Sequence, residues 1–314
     1  MQIRRVLVPV DFSPQSTLAV NNGIALARRF RAKLTLLHVV EPPGAILYTL
    51  HLYTAPAQAD QAEMERMEQA EKKLPQLVSP EDQDDLDISF IVRFGEAEHV
   101  IKTVAAEEHS DVVVMGTQGR SILGRLFIGS VALGLLRTLG IPVFTVCHVS
   151  RPLEFRRILF ATDFKPNSDK GLQIAFDMAT QTGATLIVAH TMDKRPSMTY
   201  ETPEVHELFD EQRTEDLTHT HKMFDEFKAE ATRRGMSLEC VLAEGDAPET
   251  LVRIANENEA DFIILGLRKQ GAVARALVGS VAEPVIRAAH VPVFSIPIDT
   301  MVFDEDGTKD RQHV

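Results

Sequence analysis

Two α/β units in tandem, each a doubly wound parallel sheet of five strands, are the fold class that this sequence predicts. Two observations carry it. The chain repeats itself: Val6-Leu-Val-Pro-Val-Asp11-Phe-Ser-Pro14 returns as Ile158-Leu-Phe-Ala-Thr-Asp163-Phe-Lys-Pro166, and His38 returns as His190, at an offset of 152. Gly95 then maps to Gly245, Gly116 to Gly266 and Gly129-Ser-Val-Ala132 to Gly279-Ser-Val-Ala282, at an offset of 150, so the length difference falls after the second strand of each copy. A period of that size is a domain duplication and not a solenoid. Within each copy, short β-branched runs alternate with segments of helical apolar spacing, which implies a parallel sheet covered on both faces.

In the first copy the pattern predicts strands at 3–10, 33–40, 86–94, 110–116 and 141–147, with helices at 14–30, 59–78, 96–108 and 130–138. In the second copy strands are expected at 156–162, 184–191, 237–244, 260–266 and 291–297, with helices between them. The units are expected at 1–149 and 155–298, followed by an acidic, loosely ordered tail at 299–314. Ile141-Pro-Val-Phe-Thr-Val146 and Val291-Pro-Val-Phe-Ser-Ile296 are nearly the same short apolar strand. Each would leave an unpaired sheet edge, so their antiparallel pairing into an intramolecular pseudo-dimer is expected. Ala45 to Tyr53 is unusually apolar for a connection and reads as a lid, a contact surface or local packing.

The strongest chemical signal is Gly116-Thr-Gln-Gly119 followed by Gly129-Ser130. It begins where the apolar run Asp111-Val-Val-Val-Met115 ends and leads into a helix with Ser130 at the expected N-cap. A strand, a glycine loop and a helix N-terminus let the backbone approach an anion with N–H groups and a favourable dipole. Other phosphate loops fit less well. Gly119 to Leu126 has P-loop spacing but Arg125 and Leu126 where a Lys and a hydroxyl belong, and no Gly-x-Gly-x-x-Gly occurs.

Charge and cysteine usage narrow the class further. A net charge of −12 opposes nucleic acid and anionic membrane surfaces as partners, so an anionic ligand needs a local exception. Arg120 and Arg125, with Arg268, Lys269 and Arg275 in the second copy, are the sequence candidates for it. Cys147 and Cys240 occupy unlike repeat positions, which points to packing residues and a reducing, cytoplasmic setting. The start of the chain runs directly into the first strand, so no leader is expected, and no apolar run approaches spanning length. His219-Thr-His221 has a spacing that turns the two rings apart on a helix, which favours a solvated face over a metal site.

These residues resemble the universal stress protein family over positions 1 to about 297, and the first copy resembles its nucleotide-binding branch, whose Gly-x2-Gly-x9-Gly-Ser/Thr pattern is met by Gly116, Gly119, Gly129 and Ser130. The resemblance implies the adenine nucleotide alpha hydrolase-like fold with strand order 3-2-1-4-5. It implies that Asp11 and the backbone of Val39 address the adenine edge, with Pro9 and Gly116 against the ribose; Met115 is a further nucleotide-binding candidate. Gly119, Gly129, Ser130 and Val131 would hold the phosphates of ATP, with Mg²⁺ bound through those phosphates, and Arg120 in the glycine loop completes the nucleotide-binding candidates. A candidate second site comprises Asp163, Gly266, Lys269, Gly279, Ser280 and Val281, but Lys269 stands where the middle glycine belongs and Ala161 replaces the proline. The Lys269 side chain either intrudes on the phosphates, which makes the second copy a degenerate structural half, or offers them an ammonium group, with Gly271 restoring some backbone freedom. The expected function is an ATP-binding stress-response regulator with slow hydrolysis at most. A scaffold that binds no nucleotide is the alternative, and an ATP-consuming enzyme fits least, because Asp11-Phe-Ser-Pro14 stands where that class carries Ser-Gly-Gly-x-Asp-Ser. Partners are then an adenine nucleotide and an unidentified protein, with a homodimer of such chains left open.

Overall fold

The structure, a computed structural model, describes residues 1–42, 56–117, 128–146, 153–165, 168–194, 203–268 and 279–298. In the first half, β1 (Arg5–Val10), β2 (Lys33–Val40), β3 (Ile88–Phe94), β4 (Val112–Gly116) and β5 (Val143–Val146) are joined by α1 (Pro14–Phe30), α2 (Pro56–Lys73), α3 (Pro80–Asp85), α4 (Ala97–Glu107) and α5 (Ser130–Thr138). The second half repeats this order with β6 (Arg157–Ala161), α6 (Asp169–Thr182), β7 (Thr185–Met192), α7 (Pro203–Arg234), β8 (Leu238–Glu244), α8 (Ala247–Glu257), β9 (Phe262–Arg268), α9 (Ala282–Ala288) and β10 (Val293–Ile298).

All ten strands form one sheet, in the order β3-β2-β1-β4-β5-β10-β9-β6-β7-β8. Each half therefore has the order 3-2-1-4-5 of a doubly wound sheet, reversing direction between its first and fourth strands. Every neighbouring pair is parallel except β5 and β10, which run antiparallel with Val143 opposite Ser295, Phe144 opposite Phe294 and Thr145 opposite Val293. The expected shared edge is thus present, and it removes two of the edges that separate sheets would expose. Thr145 Oγ1 donates to the Val293 carbonyl at 3.1 Å within this buried junction.

Side-chain alternation along each strand sends residues to opposite faces. Val6 and Val8 join Val112, Val114, Phe144, Phe160 and Phe294 in one core, while Leu7 joins Val113, Met115, Leu135, Ile263 and Val285 in the other. Both cores run through both halves, so the shared sheet is buried on its two faces along the junction. Burying one such Leu or Phe contributes roughly 1.5–3 kcal/mol. Asp111 Oδ2 accepts from the backbone N–H groups of Arg4 and Arg5 at 2.7 and 2.9 Å, which ties the start of β4 to that of β1. Asp261 does the same for Arg156 and Arg157 at 2.6 and 2.8 Å, and burial pushes its carboxyl above the ordinary value despite those donors.

Two expectations change. The helix predicted at 59–78 is divided: α2 stops at Lys73, a single 3-10 turn follows over Leu74–Leu77, and α3 starts afresh at Pro80 with Ser79 capping the Asp82 N–H at 3.1 Å. Pro75 lacks the N–H that a continued helix needs and clashes with the preceding turn. The second half carries no proline there, and α7 runs unbroken to Arg234. At α5 the N-cap is Gly129 and not Ser130, which occupies the first helical position.

Candidate functional site

The cleft lies where the strand order of the first half reverses, at the carboxyl ends of β1, β2 and β4. β1 pairs with both β2 and β4, so Asp11, Val39 and Gly116 come together although the sequence separates them widely. The resulting hollow measures about 620 Å³ and is lined by Pro9, Asp11, Val39, Met115, Gly116, Gly129, Ser130 and Val131, among others. That volume falls within the ~300–1,000 Å³ of small-molecule and cofactor sites.

The β1–α1 turn builds one wall. Asp11 Oδ1 accepts from Ser13 N at 3.0 Å and from Ser13 Oγ at 2.6 Å, and Ser13 in turn caps α1 by accepting from Ser16 N at 3.2 Å. These bonds hold Phe12 at φ 62°, a left-handed conformation that is uncommon for a bulky residue. Its ring stacks 4.4 Å from His38, whose Nδ1 sits 2.6 Å from the Val10 carbonyl; since that oxygen only accepts, Nδ1 carries the proton. The His38 ring is buried and joins the end of β2 to the end of β1.

The opposite wall is the start of α5. Gly129 N donates to the Thr117 carbonyl at 2.7 Å, and the first bond inside the helix runs from Leu133 N to the Gly129 carbonyl at 3.0 Å. The N–H groups of Ser130, Val131 and Ala132 therefore have no acceptor within the helix, and all three residues line the cleft. At φ −62° Gly129 has a backbone any residue could adopt. Gly119 and Arg120, with Arg125, lie outside the described residues, as does the apolar segment from Ala45 to Tyr53.

Four lining residues come from α2: Arg66, Gln69, Ala70 and Lys73. Arg66 Nη1 donates to the Glu41 carbonyl at 3.0 Å, and Lys73 Nζ stands 4.3 Å above the Phe12 ring. Glu41 Oε1 accepts from Ala97 N, at the start of α4, at 3.3 Å. Sequence reasoning missed both cations because they lie on what reads as the solvated face of a polar helix.

In the second half, Asp163 Oδ1 accepts from Ser168 Oγ at 2.8 Å, and Phe164 repeats the left-handed turn at φ 54°. A Cβ at Gly266 would meet Ile298 Cδ1, the movable end of that side chain. Gly279 has φ 122°, unlike Gly129, so this loop enters its helix by a different path; Ser280 and Val281 precede α9 there. Lys269, Gly271 and Arg275 lie outside the described residues, and of Arg268 only the backbone is described.

Among the described residues no group of three His, Cys, Asp or Glu could hold a metal ion. Burial pushes the Cys240 thiol up to about 11, so it stays protonated and inert at neutral pH, while Cys147 lies outside the described residues. No described helix is long and apolar enough to cross a membrane.

Comparison with known proteins matches the description "Universal stress protein family" to residues 2–146 and again to 154–297. A universal stress protein of Mycolicibacterium smegmatis is 25% identical over 304 residues, covering 93% of this chain and 96% of its own. The crystal structure of a universal stress protein from Archaeoglobus fulgidus superposes with a TM-score of 0.67 at 23% identity, covering 94% of this chain and 96% of the other. A functionally unknown protein from Pseudomonas aeruginosa shares the fold at a TM-score of 0.63 and 18% identity, over 94% of this chain and 93% of its own.

Proposed function

The chain belongs to the universal stress protein family through both of its halves, and from that premise we propose that it is a cytoplasmic regulator of the stress response that binds ATP, or another adenine nucleotide, in the cleft of its first half. One observation carries the reading: a single hollow joins Asp11 and Val39 at the ends of β1 and β2 to Gly116 at the end of β4 and to the open N-terminus of α5. An adenine edge needs a fixed acceptor and backbone groups, and a polyphosphate needs converging N–H donors. The cleft offers both in one run.

In this reading the base meets Asp11 and the Val39 backbone, the ribose lies against Pro9, Met115 and Gly116, and the phosphates reach Gly129, Ser130 and Val131, joined by Gly119 and Arg120. Mg²⁺ enters with the phosphates and neutralises their charge. Asp11 and His38, fixed by Ser13 and by the Val10 carbonyl, stand at the base end of the cleft in this reading and not beside the phosphates, so neither is placed as a base for the attacking water. Hydrolysis is then slow against the ~10 per second of an ordinary enzyme, and the protein works by being occupied or empty.

Titration calorimetry of the full chain with ATP, adenosine and GTP tests this. Saturable ATP binding that exceeds GTP binding supports the reading; an absence of binding to both ATP and adenosine rejects it.

A further inference from the structure

We propose that Arg66 and Lys73 on α2 are the residues that make the first cleft, and not the second, competent for a phosphate-bearing ligand. This rests on the nucleotide reading above and adds to it a specificity element outside the glycine motif.

The two halves permit an internal comparison, because α2 and α7 hold the same place in each. The sequence of buried, intermediate and exposed positions from residue 60 to 70 is repeated without change from 210 to 220, an offset of 150 that ends on the buried pair Ala70 and Thr220. That register puts Asp216 where the first half has Arg66, His219 where it has Gln69 and Met223 where it has Lys73. The ring pair beside the helix is copied. Phe164 stacks on His190 at 4.4 Å as Phe12 does on His38, and His190 Nδ1 lies 2.8 Å from the Thr162 carbonyl.

What differs is charge. Among the described residues, Arg66 and Lys73 line the first cleft beside the acids Asp11 and Glu41, with Lys73 over the Phe12 ring; the second half has one acid and one thioether in place of the two cations. There Phe164 turns instead towards His219, Phe224 and Phe227, at 5.9, 5.7 and 6.1 Å. Two cations near this second wall are engaged: Arg213 pairs with Glu244, and Lys165 stands 3.7 Å from Asp163. In a chain of net charge −12, a polyanion approaches only where the field is locally reversed. On the α2 side of the first cleft Arg66 and Lys73 offset the acids Asp11 and Glu41, and at the matching α7 positions Asp216 and Met223 supply no such offset.

The experiment is calorimetry of the full chain with ATP and with uncharged adenosine, at low and at physiological salt, for the unaltered protein and for Arg66→Asp/Lys73→Met, which copies the second half. Both side chains are exposed, so the substitution leaves the core alone; Arg66→Lys/Lys73→Arg serves as the charge-conserving control. One ATP per chain is expected, weakened about tenfold or more by the double variant, with adenosine unchanged and the difference shrinking as salt screens it. Unchanged ATP affinity, equal loss of ATP and adenosine, or two ATP per unaltered chain overturns the assignment while leaving the first cleft a nucleotide site. Failure of the unaltered chain to bind either ligand overturns both readings together.

Discussion

Phe144 and Phe294 face each other as a register pair across the β5–β10 junction, fully buried, with ring centroids 5.9 Å apart. They occupy the same position in the two repeats, so a single residue type, used twice, closes the sheet at its centre. Phe144 also meets Phe262 edge-on at 5.6 Å, which extends the contact into the second half.

Replacing Phe144 by Ala should therefore destabilise the whole chain by about 3–5 kcal/mol, the usual cost of deleting a buried aromatic ring. Phe294→Ala should cost a similar amount, and the double variant less than the two together, because each ring is part of the other's surroundings. Urea unfolding followed by circular dichroism reads all three values. Strict additivity would mean that the two rings do not share a packing unit.

A chain cut after Ser150 bares the β5 edge. It should dimerise through that edge, with β5 of one copy taking the place of β10. Sedimentation velocity across a concentration series detects this, and a stable monomer at high concentration would contradict the shared edge as the joining device.

Gly119→Lys copies into the first half the residue found at Lys269. If Gly119 serves close backbone approach to a phosphate, ATP should bind at least ~10-fold more weakly in the folded variant. Unchanged calorimetric affinity would remove this residue from the site.

Lys33 holds the Glu108 carboxylate at 2.9 Å and, chiefly through that hydrogen bond, keeps it below the ordinary carboxylate value. A depressed folded value means stability that is present above the unfolded value of about 4.5 and is lost as pH falls through the folded one. Glu108→Gln should thus cost up to about 1 kcal/mol at pH 7, given the exposure of the pair, and progressively less in acid. Stability curves at both ends of that range check the sign; a penalty that grows towards acid would refute it.

The sequence made the duplication, the strand–loop–helix motif and the paired edge legible because each is written in local pattern: period-two apolar runs, glycines at fixed spacing and two near-identical last strands. Strand order came from family resemblance, since periodicity says nothing about neighbours. The break at Pro75 was readable and was overridden by the helical spacing around it. Ser130 looked like the cap because hydroxyl residues usually fill that position, yet the chain turns one residue earlier at Gly129. Arg66 and Lys73 could not be found from pattern, since their role depends on α2 lying across the end of β1, where Lys73 meets the Phe12 ring. Nor does local sequence announce the left-handed turn at Phe12, which exists because Asp11 and Ser13 bond across it.

Hydrogen exchange of the full chain with and without ATP tests the central claim most directly, because it reports where a ligand sits without altering a residue. The account predicts slowed exchange at the amides of Val39 and Val40 and of Ser130 to Ala132, and no change at Thr191 and Met192 or at Val281 and Ala282. Protection confined to the second half, or none anywhere under saturating ATP, would contradict it.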